Sequence, residues 1–494
     1  MKGDDKQSTE LNKGVAKPRQ GDRDLSTRKL CLYGLGLSWV ACLLGITAVG
    51  VLVGVGKTSG ILILAGTIPV NLDGGSLIVL PLILATILTS CNECLGYIHA
   101  TALRWALWHE GRLNFNTNLR LLTQAKTSKP NTWYVNVGII LLTAVSYAAA
   151  GAAIIPENRI YVPAISLMVL CLLLQAIIAT WTLLTTKDRI LSWSANALNN
   201  SLICQERGLQ RHIGQCMTPF QRTATLRKPR NNPSTPSPQQ LSLTSSRFSA
   251  VVIMSLLWAL VLLSFLWACL VGSFGVSIPM ASPGDMHHGY ALSITASTKL
   301  HAAGELAGCF ISIALLLATQ ILSTFSLHCT ELLVNSARDE GVWRRAANLK
   351  RKGATISVSA LKEASTSWET LILFVLKSAI HWSYGEAIKV NFYEGYATAS
   401  MWQTPLFILA GLTTICALFA TYLCLKRPRD PQPTAYGHLQ TLVNLIDDWG
   451  VGNEPLFWGD KGHVGWDAKF EIRHAGTAGS KEKVGEIDMK AKYV

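Results

Sequence analysis

Charge is what this chain has least of. Asp, Glu, Lys and Arg make up 15 % of its 494 residues, while 49 % are hydrophobic. That balance excludes a string of soluble domains, which would need more polar surface. No Walker loop, dinucleotide fingerprint, zinc-protease helix or nucleophile elbow is present. The sequence therefore names no reaction and calls for no cofactor. An enzyme is disfavoured, though membrane enzymes can assemble sites from scattered residues. Of the 12 cysteines, most lie inside apolar runs, such as Cys42, Cys171, Cys269, Cys309 and Cys416, and none lies in a segment that reads as external. A disulfide framework is therefore not expected. No small-residue cleavage signal follows the first apolar run, so no secretory peptide is expected.

What is there is apolar sequence in blocks of about 20 residues, the length a helix needs to cross about 30 Å of hydrocarbon. Seven blocks are plain, near residues 32–54, 77–98, 133–153, 163–184, 250–273, 303–327 and 402–425. An eighth, near 370–388, is interrupted by Lys377 and His381. Parity argues for counting it. With seven spans the basic C-terminal segment would lie outside; with eight it lies in the cytosol. Of the 44 Lys and Arg residues, 39 then fall on the inner side, 4 outside and 1 within a span. This is the positive-inside pattern. The expected fold is an all-α membrane protein, a bundle of about eight transmembrane helices with both termini cytosolic. The rival is seven spans plus a re-entrant segment.

The excess charge of +14 is accounted for by that bias, so no nucleic acid partner is expected. The expected partners are the lipid bilayer, anionic inner-leaflet lipids and a cytosolic protein. The chain divides into a disordered cytosolic N-terminal tail (1–30), a first four-span half (31–226) and a disordered basic Pro/Ser-rich linker (227–248). A second four-span half (249–426), a small ordered cytosolic cap (427–478) and a disordered C-terminal tail (479–494) follow. Thr235-Pro236 and Ser237-Pro238 in the linker are candidate phosphate acceptors beside a basic cluster, or parts of an unregulated connector. No Pro stops the helices that follow Glu93 and Glu331, so both are expected to run on into the cytosol.

The halves share landmarks. Cys91-Asn92-Glu93 closes the second span and Cys329-Thr330-Glu331 the sixth. Trp133 and Trp368 open the spans that follow. A duplication would give parallel repeats about an axis along the membrane normal; chance similarity of apolar sequence is the alternative.

Ionisable residues in a span are costly, about 2.5–3.5 kcal/mol each near the centre on insertion scales, and so mark candidate sites. Here they are Glu93, Glu331, Lys377 and His381. Three of them have a plainer reading. Lys377 snorkels to the headgroups, His381 bonds a neighbouring helix as a neutral ring, and Glu93 takes a local basic partner such as Lys377. If the four converge, they form a polar inner vestibule. A weaker candidate for an external cation such as zinc or copper is Asp285, His287 and His288 with His301 and Glu305.

Several stretches carry a resemblance: Glu93 to Trp108, Asn118 to Leu122, Tyr436 to Leu442, Phe457 to Gly462 and Arg473 to Thr477. They are similar to segments of a group of uncharacterised multi-pass membrane proteins of filamentous fungi, and the similarity runs from about residue 30 to 478. The resemblance implies eukaryotic membrane insertion and a fungal source. It brings no activity and no catalytic residue. The expected function is passage or sensing of a small solute or ion, with a non-catalytic membrane organiser as the alternative.

Overall fold

The computed structural model describes residues 25–58, 67–69, 74–155, 159–220, 233–278, 287, 289–297, 301–348, 350, 352–356, 367–393, 396–450, 454–467 and 470–494. The first half contributes four long helices, α1 (Leu25–Thr58), α2 (Gly74–His109), α3 (Trp133–Ala152) and α4 (Val162–Thr186). Short strands β1 (Thr67–Pro69), β2 (Ile154–Ile155) and β3 (Arg159–Tyr161) lie at one end of these, and α5 (Ala197–Glu206) at the other. After α6 (Leu243–Ser246), the second half contributes α7 (Phe248–Phe274), α8 (His301–Arg344), α9 (Trp368–Ala387) and α10 (Gln403–Leu425). Its strands are β4 (Val276–Ile278), β5 (Gly289–Ser297), β6 (Ile388–Tyr393) and β7 (Tyr396–Trp402), and its small helix is α11 (Leu439–Leu445). Strands β8 (Phe457–Asp467), β9 (Phe470–Ala478) and β10 (Lys492–Tyr493) close the chain.

Seven of these helices are long and apolar enough to cross a membrane, which marks a multi-pass membrane protein. They are the seven plain blocks of the sequence. The expected eighth forms as α9, whose 20 residues reach about 30 Å. Glu369, Lys377 and Glu386 dilute it, so composition alone does not mark it as a span. Helices α2 and α8 do run on, to 36 and 44 residues. The all-α expectation is corrected by three small sheets, of three, three and four strands. Their strands are too short, or too rich in Ser, Thr and Gly, to stand out beside the apolar blocks.

The two halves repeat one arrangement. In the first, α1 packs on α4, α3 on α4, and α1 on α2; in the second, α7 packs on α10, α9 on α10, and α7 on α8. Across the halves, α3 packs on α8 just as α9 packs on α2. The sheets agree. In each half a hairpin joins the third helix to the fourth, and its second strand pairs antiparallel with a strand from the first connection. The register agrees too: Thr67 faces Tyr161 and Ala291 faces Trp402, each the residue before the fourth helix. On the opposite side, Trp105 Nε1 donates to Ser192 O (2.6 Å) and Trp343 Nε1 to Pro433 O (2.8 Å). Trp105 and Trp343 stand apart in sequence by the same number of residues as Glu93 and Glu331.

The third helices meet at glycine. A Cβ on Gly385 of α9 would lie 2.8 Å from Gly151 Cα of α3, and one on Gly151 would lie 3.0 Å from Gly385 Cα. Backbone contact of this kind lets helices associate where lipid supplies no hydrophobic drive. Beside it, the Tyr147 ring of α3 stacks on His381 of α9, centroids 3.5 Å apart.

The cap extends further than the sequence indicates. Its core joins Trp343 at the end of α8 to Leu442, Leu445, Trp458, Ala475 and Tyr493. The expected disorder of 479–494 is corrected: β10 pairs parallel with β9, Tyr493 is fully buried, and its hydroxyl donates to Asp460 Oδ2 (2.8 Å). The linker is corrected in part. Residues 227–232 lie outside the described set, but Ser234 and Tyr493 exchange two backbone hydrogen bonds of 2.9 Å, and Leu243 is buried. A few apolar anchors in polar surroundings hold both segments, and a composition average hides them. Thr235 and Ser237 remain exposed. Of the N-terminal tail, 25–30 belong to α1 and 1–24 lie outside the described residues.

An ion pair staples the cap. Asp447 Oδ2 lies 3.1 Å from His474 Nε2 and 3.0 Å from Lys461 Nζ. The bond to Asp447, with help from Cys216 and against burial, lifts the His474 ring to about 10. Burial would raise Asp447, but His474, the Thr477 N–H and Lys461 outweigh it and hold the carboxyl low. The imidazolium contribution is full below the free-histidine value of about 6.5 and is lost as pH climbs to about 10; the carboxylate contribution is full above about 4 and is lost in acid.

Two outcomes follow. Gly385→Val drives side-chain atoms into the α3 backbone and lowers the melting point in detergent, a cost of about 1–3 kcal/mol, whereas Gly411→Ala, with nothing within 4 Å, does not. Equal melting of both variants would contradict the contact. His474→Gln flattens the decline in melting temperature between pH about 6.5 and about 10; a parent whose melting is level across that window would refute the staple.

Candidate functional site

Three of the four intramembrane candidates converge. Lys377 sits near the middle of α9, 2 % exposed, and its Nζ donates to Glu93 Oε1 of α2 (2.6 Å) and to Glu331 Oε1 of α8. The snorkelling reading is therefore corrected. A cation inside a bundle gains more from two fixed carboxylates than a stretched stem would gain at the headgroups. The expected local partner of Glu93 is Lys377. His381 lies one turn beyond Lys377 on α9 and makes its contact through the stack on Tyr147. Its Nδ1 has no hydrogen-bond partner among the described residues.

Two further groups complete the cluster. His328 stands one turn before Glu331 on α8, its Nδ1 2.8 Å from Glu331 Oε1. Arg120 comes from the connection between α2 and α3. Its Nη2 lies 2.9 Å from His328 Nδ1 and 3.5 Å from Glu331 Oε1. Gly96 makes this entry possible, because a Cβ there would lie 1.5 Å from Arg120 Nη1. Neither residue was singled out from the sequence. His328 ends an apolar block and Arg120 sits in a polar connection, where neither looks unusual. The available signal was their place in or beside the quoted stretches, with Gly96 in the first and Arg120 in the second.

The arrangement sets a proton problem. Guanidinium N–H groups only donate and an ionised carboxylate only accepts. His328 Nδ1 lies within reach of both. If it is bare its one lone pair accepts either from Arg120 or from a proton on Glu331. If it is protonated it donates to Glu331, and Arg120 turns to the carboxylate itself. One ring nitrogen thus has two arrangements that differ by a proton position.

Charge within the cluster is already matched: Glu93 and Glu331 against Lys377 and Arg120. One ligand atom each from Glu93, His328 and Glu331 lie within 4.8 Å of one another, a spacing that suits a divalent cation. The Lys377 ammonium bonds to both carboxylates and stands where such an ion would.

Small cavities flank the cluster. One of about 20 Å³ is lined by Asn92, Gly96, His99, Arg120, Gln175 and His328 among others. A second, of about 50 Å³, borders Arg120, His328, Glu331 and Asn335. A third, of about 10 Å³, borders Tyr147, Gly151, His381 and Gly385. One water needs about 10–15 Å³ by this measure, so these spaces suit single waters or short files. The first has polar atoms to offer. Gln175 Nε2 and His99 Nδ1 have no protein partner among the described residues. His99 Nε2 is engaged by Asn136 Oδ1 (2.8 Å), whose amide nitrogen donates to Thr123 O (3.0 Å).

Of the external candidates, Asp285 and His288 lie outside the described residues. His301 and Glu305 fall in the first turns of α8, where the backbone alone is described. The His287 ring lies edge-on to Trp402, with Nε2 3.5 Å from Glu386 Oε2, and Lys389 Nζ bonds the other oxygen of Glu386 at 3.1 Å.

Comparison with protein-family models, curated proteins and solved structures finds no match. The arrangement must be argued from its own chemistry.

Lys377→Met leaves Glu93 without its cation and Glu331 with Arg120 alone, and costs about 3–5 kcal/mol of stability. The double variant Glu93→Gln, Lys377→Met recovers much of it, because Glu331 and Arg120 then remain as a matched pair. Melting temperatures in detergent decide this. A single variant as stable as the parent would mean that the contacts carry no energy.

Proposed function

We propose that this is an eight-span protein with both termini in the cytosol, which passes or senses a small ion, and that the ion is the proton. The observation that carries the reading is His328 Nδ1, held between Arg120 and Glu331 beside the Lys377 ammonium. A group with two hydrogen-bond arrangements differing by one proton is what a relay needs. The water-sized cavities on either side fit proton transfer and give a larger solute no room in this conformation. Membership of a group of multi-pass proteins from filamentous fungi is proposed with it, on the stretches quoted above.

A second reading has its own support. The direct Gly151–Gly385 contact gives a close-packed seam between the halves, and the basic residues gather on one side. A membrane organiser would be built this way. The cluster would then be a structural lock.

The two separate by flux. In vesicles holding a pH-sensitive dye, the parent dissipates an imposed pH gradient faster than protein-free vesicles. Glu331→Gln and His328→Asn, each verified as folded by melting, lose about tenfold or more of that rate, the low end of what a positioned proton-transfer group contributes. Parent flux equal to that of empty vesicles, with and without a membrane potential, would sink the relay and leave the organiser.

A further inference from the structure

The end of α10 carries a feature that the central cluster does not use. Lys426, Arg427 and Arg429 follow the helix directly, and all three are exposed. Arg427 and Arg429 have no ion pair among the described residues. The nearby acid, Asp430, is taken by Arg344. The three cations border an open groove whose other walls are Thr421, Tyr422, Leu425 and Pro428. Tyr422 and Leu425 are 52 % and 53 % exposed, so the groove is apolar toward the bundle and cationic beyond it. Lys426 Nζ lies 5.6 Å from the Tyr422 ring centre, at the edge of cation–π range. Trp258 Nε1 of α7 donates to Thr421 Oγ1 (3.0 Å), which fixes the neighbouring helix at this wall.

We infer that this groove binds the phosphorylated headgroup of an anionic phospholipid, with its acyl chains along Tyr422 and Leu425. The inference rests on α10 crossing the membrane with this end at the headgroup level, as proposed above. Three cations within four residues, uncompensated and next to exposed apolar side chains, match a multiply charged group attached to hydrocarbon. Guanidinium groups bind phosphate oxygens in pairs, which a lysine cannot do.

The repeat supplies an internal control. At the matching end of α4 the sequence is Lys187-Asp188-Arg189. Asp188 offsets one charge, and Arg189 Nη1 donates to Thr127 O (3.4 Å). The two ends share an architecture, but the charge that would hold a headgroup is present at only one.

The test uses the full chain in neutral detergent and a fluorescent phosphatidylinositol monophosphate, read by anisotropy. Lys426→Ala, Arg427→Ala and Arg429→Ala together weaken binding about 100-fold, taking about fivefold per cation. Lys481→Ala, Lys483→Ala and Lys490→Ala remove equal charge from exposed cap positions and leave affinity within about twofold. Equal losses in the two triple variants would show diffuse attraction in place of a site, and no loss in the first would also overturn it. Inorganic phosphate or soluble inositol phosphate binding as tightly as the lipid would reassign the groove to a free anion. Phosphatidylcholine binding as tightly would remove the headgroup from the argument. Detergent presents both ends of α10 to the probe, so failure here is independent of the orientation in the cell and of proton flux.

Discussion

A positive charge in the middle of an apolar helix cannot face lipid, and the bundle is arranged around that fact. Helix α9 holds Lys377 at its centre, with Glu386 and His381 further along. Left at the periphery it would expose an ammonium to hydrocarbon, at a cost of several kcal/mol. Placed inside, it needs carboxylates, and these come from α2 and α8, one from each half. The Lys377 contacts therefore tie the two halves together, and the Gly151–Gly385 contact brings α3 and α9 close enough for that to happen. The apolar faces of the remaining helices complete the enclosure.

The repeat explains why the acids meet, and its imperfection explains why they do something. Glu93 and Glu331 occupy corresponding places on α2 and α8, and both reach Lys377. Two carboxylates alone would repel. The lysine breaks the symmetry: α9 supplies it, whereas the matching stretch of α3 is apolar or neutral around Leu142 and Thr143. Arg120 and His328 break it further. Symmetry gathers the charges, and substitutions in single copies decide where a proton can sit.

How much of this was legible in the sequence follows from the same physics. Long apolar blocks report themselves, because hydrocarbon thickness imposes a minimum length. The seven plain spans were readable for that reason, and so was the run-on of α2 and α8, which lack a stop. The convergence of Glu93, Glu331 and Lys377 was open as a possibility, since buried charges need partners. The partners from connections were not readable. Arg120 looks like any loop arginine until Gly96 is seen to leave room for it. Short strands at the helix ends were hidden for a different reason: β1 and β2 hold three and two residues, too few for a period to show. The cap's last strand was missed because Tyr493 and a few neighbours act through long-range pairing inside a charged segment.

The position of Arg120 links the cap to the interior of the bundle. The connection that carries it is pinned at both faces. Asn116 N donates to Gly437 O (2.8 Å), and Leu439 N donates to Asn114 O (3.0 Å). The Asn116 amide donates to Asp339 of α8 (2.8 Å) and to Ala195 O (2.8 Å). Phe115 packs edge-on against the His438 ring, which caps α11. A shift of α11 within the cap is thus a shift of the connection, and four residues along the same connection lies the guanidinium that faces His328. Either Arg120 stays against His328 and Glu331, or it withdraws and leaves Lys377 as the remaining cation to balance two carboxylates. The charge left over would then favour a proton on one of them. The cap and the buried cluster are thus joined through one short connection.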